Sequence, residues 1–342
     1  MASGYMRAHG VTVDNAAAAL QGAVTIGHGP IADIAVDGDT LVVSNYADHS
    51  MAVLNAETLA VNGGVAAREA FALAVAGDSA YVGVASVSYD AIAVIDTRTG
   101  NVTASYPLSF SVTAMTTSRD GKRIYAGRAA DGGVDVAIID VITQRVSTIY
   151  LAKGDDVVID AMRVDSSDRR LYVATSDSRG SRLIVVDLES GVVRRTLEVG
   201  ASIRGLEIGL DSTAYVLTSD LQDRGVLHVV DLVAGRIMAS VEVATAPTQL
   251  ALSADATRAY VVDYNEVVVL DTEKLDTVGT ISVGARPSCV ALGVDRLYVA
   301  DYAGGVTAFA VAAPAPMLYA PLMAANSAAA VPTFRELEPA GV

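Results

Sequence analysis

The feature that most restricts this chain is that it repeats itself. An apolar strand, tyrosine-bearing in six of its seven copies, recurs at Leu41-Val42-Val43, Tyr81-Val82, Ile124-Tyr125, Leu171-Tyr172-Val173, Ala214-Tyr215-Val216, Ala259-Tyr260-Val261 and Leu297-Tyr298-Val299. A second ladder keeps step with it, an apolar strand closed by Asn or Asp at Leu54-Asn55, Ile95-Asp96, Ile139-Asp140, Val186-Asp187, Val230-Asp231 and Leu270-Asp271, with a degraded seventh copy at Phe309-Ala310. The steps along that ladder are 41, 44, 47, 44, 40 and 39 residues, the length of one propeller blade and far longer than a leucine-rich or hexapeptide turn. Within each unit, short runs rich in Val, Ile, Leu and Tyr alternate with turns such as Asp37-Gly38-Asp39, Thr99-Gly100 and Asp120-Gly121-Lys122. Helical spacing shows only at Asn15 to Gln21. The pattern predicts an all-β protein, a seven-bladed β-propeller with four antiparallel strands per blade.

The ends of the pattern say how such a ring would close. Ala23-Val24-Thr25-Ile26-Gly27 matches the outer strand Thr280-Ile281-Ser282-Val283-Gly284, while the last unit stops after its third strand. The N-terminal strand is therefore expected to complete blade seven and remove the open edges of a linear array. This divides the chain into an N-terminal extension over residues 1–21, a propeller over 22–311 and an Ala/Pro-rich tail over 312–342, expected to be flexible.

Charge and apolar content narrow the partners. With 24 basic against 39 acidic residues the net charge is -15, which repels a phosphate backbone, so nucleic acid is excluded. No run of eighteen apolar residues occurs, which argues against membrane insertion. The first twenty residues lack the pattern of a secretory leader, so a cytoplasmic protein is expected, or an exported or cell-envelope protein if a leader precedes this start. Cys289 has no second cysteine to pair with and, set in an inner strand beside Val290, reads as a buried thiol.

The run Tyr260-Val261-Val262-Asp263-Tyr264, then Val267-Val268-Val269-Leu270-Asp271-Thr272, then Thr280 to Pro287, resembles the YVTN-type repeats of bacterial and archaeal surface proteins and lactonase-like propellers. The likeness covers about residues 22–311, strongest in blades one, six and seven. Such a resemblance implies the fold far more than a chemistry. The absence of tryptophan sets the chain apart from WD-repeat proteins and from quinone-dependent dehydrogenases, which it resembles in architecture alone.

Two constellations emerge when the seven units are aligned. One inner-strand column reads Ala35, Ala74, Thr116, Arg163, Glu207, Ala251 and Ala291, and predicts that Arg163 and Glu207 pair across blades four and five. Three positions earlier, Asp160 and Arg204 stand where the other blades carry Ala32, Phe71, Thr113, Thr248 and Ser288, again an acid facing a base. The second constellation is Asn45-Tyr46, Asp263-Tyr264 and Asp301-Tyr302, at the ends of equivalent strands in consecutive blades one, six and seven. Both are candidate ligand or partner sites, and both carry a structural reading, as interblade ion pairs and as turn caps with packed tyrosines.

The histidines show no metal-binding spacing and no serine elbow is present, so no metal, cofactor or catalytic residue is assigned. The leading expectation is a monomeric, non-catalytic binding or scaffold module. It would meet a protein or polysaccharide through its loop-rich face, with a small molecule as the other possible ligand. The alternative is a lactonase-like hydrolase acting on a sugar lactone at the channel mouth. Ser44-Asn45-Tyr46-Ala47-Asp48-His49-Ser50 is similar to a loop of those enzymes, with its histidine displaced by one place.

Overall fold

A computed structural model describes residues 12–14, 18–67, 70, 72–85, 90–210, 212–220 and 224–311. The tail and Phe71 lie outside the described residues. The described strands form seven antiparallel sheets, each a blade built as a meander of strands a to d from the axis outward. The inner strands are Ile31–Asp37, Leu73–Ala76, Val112–Thr117, Val158–Val164, Ser202–Ile208, Gln249–Leu252 and Pro287–Leu292.

Blade seven takes its outer strand from the start of the chain. Ala18–Thr25 pairs antiparallel with Gly305–Val311, with Leu20 opposite Phe309 and Thr25 opposite Gly305. The strand thus begins four residues before the expected boundary at 22, and the helical spacing over Asn15 to Gln21 is overridden from Ala18 onward by the unpaired edge it covers. Thr12–Asp14 adds a fifth strand to blade six, antiparallel to Asp276–Ser282.

Each ladder in the sequence has a packing cause. The tyrosines of strand b lie between blades: the Tyr81 hydroxyl donates to the Gly121 carbonyl and the Tyr298 hydroxyl to the Ala56 carbonyl, each on the next blade. The Asn and Asp residues ending strand c accept backbone N–H groups two or three residues on, closing the turn into strand d at Asn55, Asp96, Asp140, Asp187, Asp231 and Asp271. These acceptor bonds hold the Asp187 carboxyl down at about 2 and lower Asp96 and Asp140.

The core is divided among the junctions. At the seam where the ring closes, Ile34, Leu41 and Leu54 of blade one pack on Tyr298, Ala300 and Ala308 of blade seven. Between blades six and seven, Phe309 is fully buried against Val267, Val269 and Ile281. Removing that ring would open a cavity beside the closing strand. Phe309→Ala is expected to cost about 3–5 kcal/mol in chemical denaturation, and a loss below about 1 kcal/mol would mean that this junction does not carry the closure.

Candidate functional site

The inner strands surround an axial channel of about 540 Å³. Among the described residues, the pairing of strand a with strand b skips one residue in five blades, at Ala32, Thr113, Asp160, Arg204 and Ser288. A bulge of this kind re-aims the extra side chain. It explains why Asp160 and Arg204 line the channel although strict alternation would not bring every such column to the axis.

Arg163 and Glu207 meet across the blade four/five junction as a bidentate pair. Nε donates to Oε2 at 3.1 Å and Nη2 to Oε1 at 2.7 Å, while Nη1 donates to the Met162 carbonyl at 2.8 Å. Arg163 is also a wall of a second cavity of about 500 Å³ toward the opposite face, bounded by Arg119, Asp165, Asp168 and Arg170. Arg163 thus lines both spaces.

Asp160 and Arg204 do not form a contact ion pair, contrary to the expectation of an acid facing a base. Asp160 instead accepts the Ser176 hydroxyl at 2.6 Å, and Arg204 acts on it through space while remaining exposed. Burial pushes the Asp160 carboxyl up to about 6 against the pull of Ser176 and Arg204.

Two channel residues were missed by the column comparison. Asp33 accepts the Ile34 N–H at 2.9 Å, the Leu73 N–H of blade two at 3.2 Å and the Gln249 side-chain amide of blade six at 3.5 Å. Gln249 in turn accepts the Val290 N–H of blade seven at 2.6 Å. One polar clasp therefore joins blades six, seven, one and two across the closing seam. Burial raises the Asp33 carboxyl to about 6, with the backbone donors and Arg163 opposing it. The signal was present in the column Asp33, Ala72, Ala114, Ala161, Gly205, Gln249 and Cys289, where two long polar residues interrupt small ones. Cys289 is buried, and its burial beside Asp33 pushes the thiol up.

The second constellation separates into two layers. Asn45 binds the Asp48 N–H and carboxylate, Asp263 accepts the Thr245 and Ala246 N–H groups, and Asp301 accepts those of Ala303 and Gly305. These side chains hold loops. The tyrosines that follow are exposed, Tyr46 at 42%, Tyr264 at 49% and Tyr302 at 41%. A residue not anticipated joins them: the Arg286 guanidinium lies 4.1 Å from the Tyr264 ring centroid and 4.6 Å from that of Tyr302, a cation held between two rings. Tyr46 meets His49 edge-on at 6.2 Å. In blade three the position equivalent to Asn45 is Arg128, buried in a bidentate pair with Asp135.

No protein-family model matches the sequence. The chain is 33% identical to the seven-bladed beta-propeller protein Rv1057 of Mycobacterium tuberculosis, over 83% of this chain and 82% of that protein. It is 50% identical to a seven-bladed beta-propeller protein of Mycolicibacterium smegmatis, over 92% of this chain and 88% of the other. Among solved structures, the Kuenenia stuttgartiensis hydrazine synthase matches with a TM-score of 0.73 over 85% of this chain and 98% of that one. At 20% identity, that likeness shows the fold alone.

The raised and lowered acids give stability an unusual pH profile. A folded-state value of about 6 for Asp33 and Asp160 lies above the unfolded value of about 3.8, so the native state binds more protons between them and stability falls as pH rises through that window. Asp187, held near 2, contributes stability above the unfolded value that is lost as pH falls below it. The melting temperature should therefore rise from pH 7 to about pH 4.5 and fall again below about pH 4. Asp160→Asn should reduce the first rise by about 2–4 °C, and a variant with the wild-type profile would contradict the assignment.

Proposed function

The chain belongs to the seven-bladed β-propeller family of these mycobacterial proteins, and from that premise we propose that it is a non-catalytic binding module of YVTN-like type whose loop-rich face engages a partner protein. In an antiparallel meander the b-to-c loops and the d-to-a links share one face, and this face carries the tyrosine rim. The observation that carries the reading is that Tyr46, Tyr264 and Tyr302 occupy equivalent positions in three consecutive blades and expose their rings together. The corresponding residues of the other blades are Ala85, Ala129, Ser176 and Ser219. Large rings cluster on one arc and small side chains fill the rest.

Exposed tyrosines on a rigid scaffold suit protein recognition, because each supplies wide contact area and a polar tip while losing little side-chain freedom. The stacking of Arg286 further lowers the ordering cost, since the guanidinium and two of the rings are already held in place. The carboxylates beneath the rim are engaged with backbone N–H groups, so loop shape is fixed before a partner arrives.

The test is capture from a lysate of the source organism, comparing immobilised wild-type protein with the triple variant Tyr46→Ala, Tyr264→Ala, Tyr302→Ala. A specific partner retained by wild type should be lost by about tenfold or more in the triple variant, with an unchanged β-sheet circular dichroism spectrum. Equal capture by both proteins would remove the rim from the binding surface.

A further inference from the structure

The channel's polar side chains are not equally engaged. Arg163 and Glu207 satisfy one another. Asp33 is taken up by two backbone N–H groups and by Gln249, whose oxygen is occupied by Val290. Among the charged side chains of the channel, what remains is one carboxylate oxygen of Asp160, whose Oδ2 holds the Ser176 hydroxyl, and the guanidinium of Arg204. These two groups stand on the bulges of adjacent blades, at the start of the inner strand where the channel opens to the loop-rich face. They are near enough for Arg204 to act on the Asp160 carboxyl, yet no contact ion pair joins them.

A base and an acid set side by side over a cavity without closing on each other are complementary to a ligand carrying the opposite pair. We propose that the channel mouth is a binding site for a small zwitterion of the amino-acid type, its carboxylate received by Arg204 and its ammonium by Asp160. Arg suits the first role because its planar fork matches a carboxylate with two parallel donors. Asp160 suits the second because a half-buried carboxylate, with one oxygen not taken by Ser176, gains from an arriving cation. Ser176 fixes the Asp160 rotamer from the neighbouring strand. A Cβ on Gly205, directly after Arg204, would stand 2.7 Å from Leu250 Cβ, so blade six closes against this bulge and limits its movement.

Size and surroundings agree with a ligand of this class. The channel, at about 540 Å³, lies within the range of small-molecule sites and is walled mainly by Ala, Thr, Val and Leu between its few charges. The groups facing Asp160 are Ser176 and Arg204, while Asp33, Arg163, Glu207 and Gln249 line the remainder. Ammonium binding needs the Asp160 carboxylate, so affinity falls as pH drops below about 6 and binding near that pH releases a proton. The inference is independent of the tyrosine rim, since the channel site makes no use of Tyr46, Tyr264 or Tyr302.

Isothermal titration of the full chain at pH 7.5 tests it, using the twenty amino acids, with methylamine and acetate as the separate halves. At least one amino acid is expected to bind about tenfold or more tightly than either half. Asp160→Asn and Arg204→Gln, both at channel-facing positions that leave the interblade clusters intact, should each weaken that amino acid by about 10- to 100-fold. Lowering the pH to 5 should weaken wild type but not Asp160→Asn. No heat from any amino acid at about 10 mM would overturn the proposal, as would binding that neither substitution changes.

Discussion

Each sheet of this protein has two apolar faces, and each face is buried by a neighbouring sheet. That requirement ties all seven blades together, because leaving any junction open would expose a row of valines, isoleucines and tyrosines to water. Seven apolar clusters meet it, one at each junction, and each draws its residues from two adjacent blades. A linear stack of seven sheets would leave two faces uncovered. The ring leaves none, provided that its last sheet is completed.

Completion falls to Ala18–Thr25, which supplies the outer strand of blade seven and ties the start of the repeat to its end. A polar device works at the same seam from inside. Asp33 and Gln249 connect four blades by hydrogen bonds where the apolar clusters alone would leave the axis unfastened. Its cost is a carboxylate partly withdrawn from water, which raises it to about 6. With the seam and the blade four/five junction both secured, Asp160 and Arg204 are left over, and the rigid frame can present them, like the tyrosine rim, with little further ordering.

Much of the architecture was legible because it is periodic. The tyrosine ladder marks strand b packing between blades, and the Asn/Asp ladder marks one recurring turn, so comparing units amounts to comparing equivalent positions. The Arg163–Glu207 contact could be read in the same way, as two charges in one column of adjacent blades. Other contacts broke that logic. Asp33 and Gln249 stand in blades one and six, which blade seven separates even in the closed ring, so comparing adjacent blades does not connect them. Arg286 meets its tyrosines from a link between blades, outside the strand columns. The bulges at Asp160 and Arg204 shift the alternation by one residue, and a strand pattern alone does not reveal an inserted residue. Thr12–Asp14 is three residues long, too short for periodicity to register.

Native-state hydrogen exchange at the N-terminal strand tests the closure most directly. Amides of Ala18–Thr25 that donate to Gly305–Val311 should exchange as slowly as those of the strand they cover, within about tenfold, because both open only when the ring opens. Near-unprotected exchange over Ala18–Thr25, with Gly305–Val311 still protected, would show that the ring is held without its closing strand.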